Sequence, residues 1–452
     1  MPDNRLTRIV SGITLTTLAI TCSQAQAQLY HIPFKIPDDP AINPINLGLD
    51  FGADGDRVYV AGRGLSFGDD MSSGGVYQIN RITYEHVQTI NPVDHPWDDF
   101  YGWAMEYYDG ALFVSAPYAQ APNGNDHGAV YLTNPFTGSV IHTFQETTTD
   151  TLFGFFGASL SVDDVNIFIG ATRYGPTQQG SVFVYDSANN ILVETLNADP
   201  ATPDIRFGDS VDHNSSYIVV SAPGYDIDNI EGAVYVYDFN TGALLYRLTS
   251  PIPDTNGKAN FGNEILLAGN KLLVSVGDFA PFNIRGRVYV YDLTTGNHID
   301  TLLPETGDIF SRFGYSMSAE GNLAVISCER DNDVVINGGA VYLYDLTTLE
   351  MIEKIRTPML NRNFMQFGEK VKIQDGTIFA SASDPRESDI QTNKEVIYIL
   401  EPFCRADINL DGSVDFFDVS AFIKFAVDFN GDGIFDFFDV SSFIQSYQEE
   451  CP

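Results

Sequence analysis

Two stretches near the C-terminus set oxygen-bearing residues at the spacing a hard divalent cation requires. The first carries Asp407, Asn409, Asp411, Ser413, Asp415 and Asp418 around Gly412, and the second carries Asp428, Asn430, Asp432, Ile434, Asp436 and Asp439 around Gly433. Positions 1, 3 and 5 of each twelve-residue loop offer side-chain oxygens, and position 6 is the glycine that permits a sharp turn. Position 7 offers only its backbone carbonyl, so Ile434 serves there as well as Ser413, while position 9 reaches through water and position 12 is Asp in both. The donors are all hard oxygens with no Cys or His among them, which selects Ca2+ over zinc. Two Ca2+ ions are therefore expected, one in each loop. Without them, four aspartates per loop would repel one another, so metal binding and folding of this segment should be coupled.

Each loop is followed by apolar residues at helical spacing, Val419, Phe422 and Ile423 in one copy and Val440, Phe443 and Ile444 in the other. Loop and short helix, occurring twice, make one small module over residues 403–452. Cys404 and Cys451 bracket it, and in an oxidising compartment they are the expected disulfide pair. The loops match the EF-hand type, and Asp at position 12, one short helix per loop and the tandem duplication together resemble a dockerin. That resemblance implies docking onto a cohesin-like protein or another envelope partner through this module.

The rest of the chain repeats. An aromatic-Gly pair is followed, thirteen residues after the Gly, by a small residue that ends an apolar strand; Phe207-Gly208 leading to Ser221 is the clearest copy. The same interval separates Gly48 from Ala61, Gly102 from Ser115, Gly157 from Gly170, Gly262 from Ser275, Gly314 from Ser327 and Gly368 from Ser381. Seven copies at a near-constant period predict seven units of a repeat architecture. Each unit reads as four strands, with turns such as Asn240-Thr241-Gly242 supplying the glycine of a tight hairpin. The fold class expected is all-β, a seven-bladed β-propeller over residues 28–402, followed by the small helical module. The seventh unit stops after its third strand, near Val396 to Ile399, whereas Leu29 to Pro33 has the pattern of an outer strand. This N-terminal strand is expected to complete the seventh blade and close the ring.

Aromatic-Gly, Ser-Ala-Pro and Gly-x-Val-Tyr together resemble the FG-GAP repeats of integrin-α-type propellers. Such repeats often carry calcium loops between their first and second strands. Here the corresponding turns, Ser161 to Asp164, Ala268 to Asn270 and Gln374 to Gly376, are too short to wrap six or more oxygens around the ion, so those sites are not carried over.

Arg5 and Arg8 precede an apolar stretch, Ile9 to Ile20, and then Ala25-Gln26-Ala27, the form of a secretory signal peptide over residues 1–27. Export to the extracellular space or the cell surface is expected, with no transmembrane segment. The 24 Lys+Arg against 60 Asp+Glu give a formal net charge of -36, a field that repels phosphate backbones and excludes nucleic acid as a partner. The seven His show no metal-ligand or triad spacing, and no G-x-S-x-G elbow occurs. Cys328 falls at a small-residue position of an apolar strand and is expected to be a buried free thiol. The function expected is that of a non-catalytic interaction protein whose propeller face binds protein or glycan. The alternative is a carbohydrate-active enzyme, a polysaccharide hydrolase or lyase, with a propeller catalytic domain. Loops joining second to third strands, such as Tyr118 to His127 and Tyr174 to Gln179, separate the two: an enzyme converges acids and bases there, and a binder shows aromatics.

Overall fold

The computed structural model describes residues 30–34 and 42–401, apart from 56, 68–73, 82–84, 92–98, 121–126, 147–153, 199–202, 225–231, 253–259, 277–285, 306–310, 358–362 and 385–393. Over these residues the chain forms seven four-stranded antiparallel sheets, and six of them contain four strands in sequence order. In blade 4 these are Val211–His213, Tyr217–Ala222, Ala233–Asp238 and Leu244–Leu248. The first strands of successive blades touch one another in a closed ring around a central channel. The seven-bladed propeller read from the repeats is thus what the chain forms.

Alternation along a strand divides its side chains between two neighbours. In the third strand of blade 4, Tyr235 and Tyr237 pack into the layer shared with blade 3. Val234 and Val236 pack into the layer shared with blade 5. Both faces are buried, so the strand is apolar throughout. The outer strand packs less: Leu248 is buried and Tyr246 lies against the layer shared with blade 5, but Leu244 and Leu245 remain exposed.

The repeat signature is a set of contacts. The Gly208 N–H donates to Ser221 O at 2.9 Å, and the Ser210 N–H donates to Ser221 Oγ at 2.9 Å. This latch fixes the thirteen-residue interval and explains why the small residue is so often serine. It recurs as Ala104 to Ser115, Glu264 to Ser275, Ser316 to Ser327 and Lys370 to Ser381. The aromatic before the glycine meets a ring of its own blade's third strand, as Phe207 meets Tyr235 with centroids 5.3 Å apart and near-perpendicular planes.

A second glycine, the one ahead of the third strand, makes the seam to the next blade. Gly180 bridges to Phe207 of blade 4 through the backbone, and a Cβ there would lie 2.1 Å from the Phe207 carbonyl oxygen. Gly74, Gly128, Gly232, Gly286 and Gly339 meet the next blade's aromatic residue in the same way. Backbone approaching backbone leaves no room for any side chain.

The seventh seam is made differently. Tyr30–Phe34 forms the outer strand of the sheet that holds Val371–Gln374, Thr377–Asp384 and Lys394–Glu401, so the N-terminal strand completes blade 7 as expected. At the position corresponding to Gly180 this blade has Glu395, paired in register with Ser383. Without that glycine contact, blades 7 and 1 still share an apolar layer, as other neighbouring blades do, and it includes Phe51 and Phe379, stacked at 6.0 Å. The Gln374 amide adds two hydrogen bonds, accepting from Ala53 N at 3.0 Å and donating to Ala53 O at 2.8 Å. Cys328 is a buried free thiol, and its Sγ donates to Ser311 O at 3.2 Å.

Candidate functional site

The first strands of all seven blades line a channel cavity of about 900 Å³. Among its lining residues, Asp50, Ala104, Ser159, Ser210, Glu264 and Lys370 stand two residues after the signature glycine, and Glu106, Ser161, Asp212, Leu266, Ser318 and Lys372 stand four after it. The repeat keeps the backbone constant and lets these side chains differ.

Their charges form a belt. Lys372 Nζ stands 3.6 Å from Glu106 Oε1. Asp50 and Asp212 each reach across a seam: Asp50 Oδ2 accepts from Met105 N at 2.9 Å, and Asp212 Oδ2 accepts from Leu267 N at 2.7 Å. Burial pushes Glu264 up to about 7 against the pull of Lys370, and pushes Asp212 up to about 7 against two backbone N–H donors. Glu106 and Asp209 are raised by the same desolvation. Burial opposes the charge on Lys370, but the carboxylates of Asp50 and Glu264 outweigh it and hold the lysine above its ordinary value. Ionising one member of such a belt therefore changes the others.

At one level of the channel, blades 3 and 4 bring three residues into line that the sequence separates. Ser161 Oγ lies 2.7 Å from His213 Nδ1, and His213 Nε2 lies 2.9 Å from Asp163 Oδ2. Asp163 Oδ1 in turn accepts from Val165 N and Asn166 N. These backbone donors and His213 overcome burial and keep the Asp163 carboxyl below its usual range. Burial lowers His213 despite Asp163, so the imidazole is neutral near pH 7. A hydroxyl, a neutral imidazole and a fixed carboxylate in series have the geometry of an activated nucleophile. They also join two blades, as Ser318 Oγ does by accepting from Ile373 N at 3.2 Å. Sequence spacing gives no hint of the alignment, because Ser161 and His213 lie one repeat apart.

The mouth of the channel, on the side where second strands lead into third strands, is aromatic. Phe155 meets Tyr118 at 4.7 Å and Trp103 at 6.4 Å, both edge to face, and Phe100 meets Tyr118 at 4.8 Å. The Arg173 guanidinium lies 4.8 Å over the Phe155 ring. Arg206 pairs with Asp209 beside them. All four rings are partly open to solvent. Tyr118 stands on a loop singled out from sequence; Trp103, Phe100 and Phe155 stand next to the signature pair, where a repeat search sees only variation.

The sequence-predicted metal ligands Asp407, Asn409, Asp411, Ser413, Asp415, Asp418, Asp428, Asn430, Asp432, Ile434, Asp436 and Asp439 lie outside the described residues, as do Cys404, Cys451 and residues 1–27, where a signal peptide is expected. Their donor chemistry, oxygen throughout, fits Ca2+. Among the described residues no three His, Cys, Asp or Glu side chains are grouped to hold a metal ion, and no helix is long and apolar enough to cross a membrane. No protein-family model matches the chain, and no curated protein matches it. The likeness to FG-GAP repeats and to dockerins rests on the motifs themselves.

Proposed function

We propose that this is an exported interaction protein that acts without catalysis, binding a protein or glycan ligand at the propeller's channel mouth. The observation that carries the reading is the cradle of Trp103, Tyr118, Phe155 and Phe100 above a polar channel. Partly exposed aromatic rings around a concave opening are a recognition surface rather than a core. The FG-GAP-like repeats support a propeller used for binding. The dockerin-like segment supports attachment: with two Ca2+ bound it would present its helices to a cohesin-like or envelope partner. Calorimetry on the full mature chain tests that part. Two Ca2+ should bind, Asp418→Ala and Asp439→Ala should each remove one, and chelator should abolish docking; no calcium uptake would refute it.

A second reading, hydrolysis of an ester-bearing carbohydrate, is favoured by the Ser161-His213-Asp163 alignment. Incubation with a fluorophosphonate decides between them. The binding reading predicts no label on Ser161, whereas a label abolished by His213→Ala would establish the hydrolytic one.

A further inference from the structure

The residue two before the signature glycine is Asn46, Phe100, Phe155, Arg206, Asn260, Arg312 and Gln366 in blades 1 to 7, followed by Leu47 in blade 1 and by an aromatic residue in the other six. In blades 2 to 7 its backbone is left-handed, with φ of 53° at Phe100, 56° at Phe155, 57° at Arg206, 40° at Asn260, 50° at Arg312 and 48° at Gln366. Asn tolerates that conformation through its short polar side chain; a bulky aromatic residue gains nothing from it. Five blades fill the position with a polar residue, and the two that do not are neighbours. Both of their rings belong to the cradle at the mouth. The fold does not ask for phenylalanine here, and strain kept at one place on a ring marks a site.

Resting on the binding reading above, we propose that the ligand held at this mouth is a neutral oligosaccharide. Its C–H faces would lie on Trp103, Tyr118 and Phe155, with hydroxyls directed to Arg206, Asp209 and Asn263. The rings support this because they are inclined to one another, at 82° for Trp103 and Phe155 and 68° for Tyr118 and Phe155, and so present several separate faces to a kinked chain of rings. Charge supports neutrality. Arg206 is paired with Asp209, Arg173 is spent over Phe155, and the belt below with the overall charge of -36 repels polyanions. Size supports a sugar over a protein surface. A channel cavity of about 900 Å³ takes a few sugar rings, the scale of a small-molecule site.

The chain has two tryptophans, so Trp97→Phe leaves Trp103 as the sole tryptophan reporter. Full mature protein carrying this change is titrated with cellohexaose, xylohexaose, mannohexaose and chitohexaose, and with oligogalacturonate as the charged counterpart. A saturable change in Trp103 emission with at least one neutral hexasaccharide is expected. Tyr118→Ala and Phe155→Asn should weaken it at least tenfold, while Leu245→Ser on an outer strand leaves it unchanged. Phe155→Asn suits the left-handed backbone, so its loss of binding is not loss of fold. Binding of oligogalacturonate alone, or neutral binding indifferent to both variants, overturns the proposal. If no sugar binds but an envelope protein is captured by the parent and not by Phe155→Asn, the sugar is wrong and the binding mouth stands. Capture of nothing sinks both.

Discussion

The seams between blades and the mouth of the channel are cut from the same repeats, yet they use them in opposite ways. At the seams the residue hardly varies: glycine ahead of the third strand meets the next blade's backbone six times, and the seventh seam does without it, keeping the layer of Phe51 and Phe379 and adding Gln374. At the channel the first strands repeat from blade to blade while the lining side chains change from Asp50 to Lys370 through Ala104, Ser159, Ser210 and Glu264. A position filled alike in six of seven blades answers to packing. A position that departs from its own ring, as Phe100 and Phe155 do, answers to something outside the fold.

The largest effect should come from the seams. Gly180→Ala puts a methyl 2.1 Å from the Phe207 carbonyl oxygen at a residue whose φ is +86°. A loss of about 4 kcal/mol or more is expected, among the largest a single change produces. Denaturant melts measure it, and an unchanged midpoint would break the seam half of the comparison. Next comes the closing seam, which depends on a strand from the other end of the chain. Deleting Gln28 to Pro37 removes the outer strand of blade 7 and bares an edge. Because the Phe51–Phe379 layer and the Gln374 amide remain, the cost should be smaller, roughly 2–4 kcal/mol, the range of a large core deletion. A truncated chain that melts with the parent would show that the ring does not rely on this strand.

The channel belt should respond to pH rather than to packing. Glu264 titrates near 7 in the folded protein against an ordinary value of 4.5. Between those values the native state holds a proton that the unfolded chain has released, so stability falls as pH rises through that window. Glu264→Gln removes the penalty. Its melting temperature should exceed the parent's at pH 8 and converge with it near pH 4.5. An advantage that is the same at both pH values would mean that the group acts through shape and not charge.

The fold was legible because its contacts are local to the repeat. Gly208 and Ser221 lie thirteen residues apart since one latch joins them, and every blade repeats the interval. The missing outer strand after Ile399 and the surplus one at Tyr30 could be matched for the same reason. The site was legible only in part. Tyr118 lies on a loop that strand order alone marks out, but Phe155 is told apart from Arg206 or Asn260 only when the left-handed backbone they share is seen. The alignment of Ser161, His213 and Asp163 is tertiary: two blades must stand side by side before the imidazole reaches both neighbours. In the closing seam, Gln374 meets Ala53 from the opposite end of the chain, which no local pattern can announce.

The claim that seam positions serve the fold while the mouth positions serve a ligand is tested most directly by the thermal melt of the double variant Phe100→Asn, Phe155→Asn. Each change puts a residue that accepts positive φ where a bulky one is held at 53° or 56°. Relief of about 1 kcal/mol per site is expected, less the loss of ring contacts at Tyr118, so the variant should melt at or a few degrees above the parent. A melting temperature well below the parent's would show that these rings hold the propeller together, and the distinction between seam and mouth would fall.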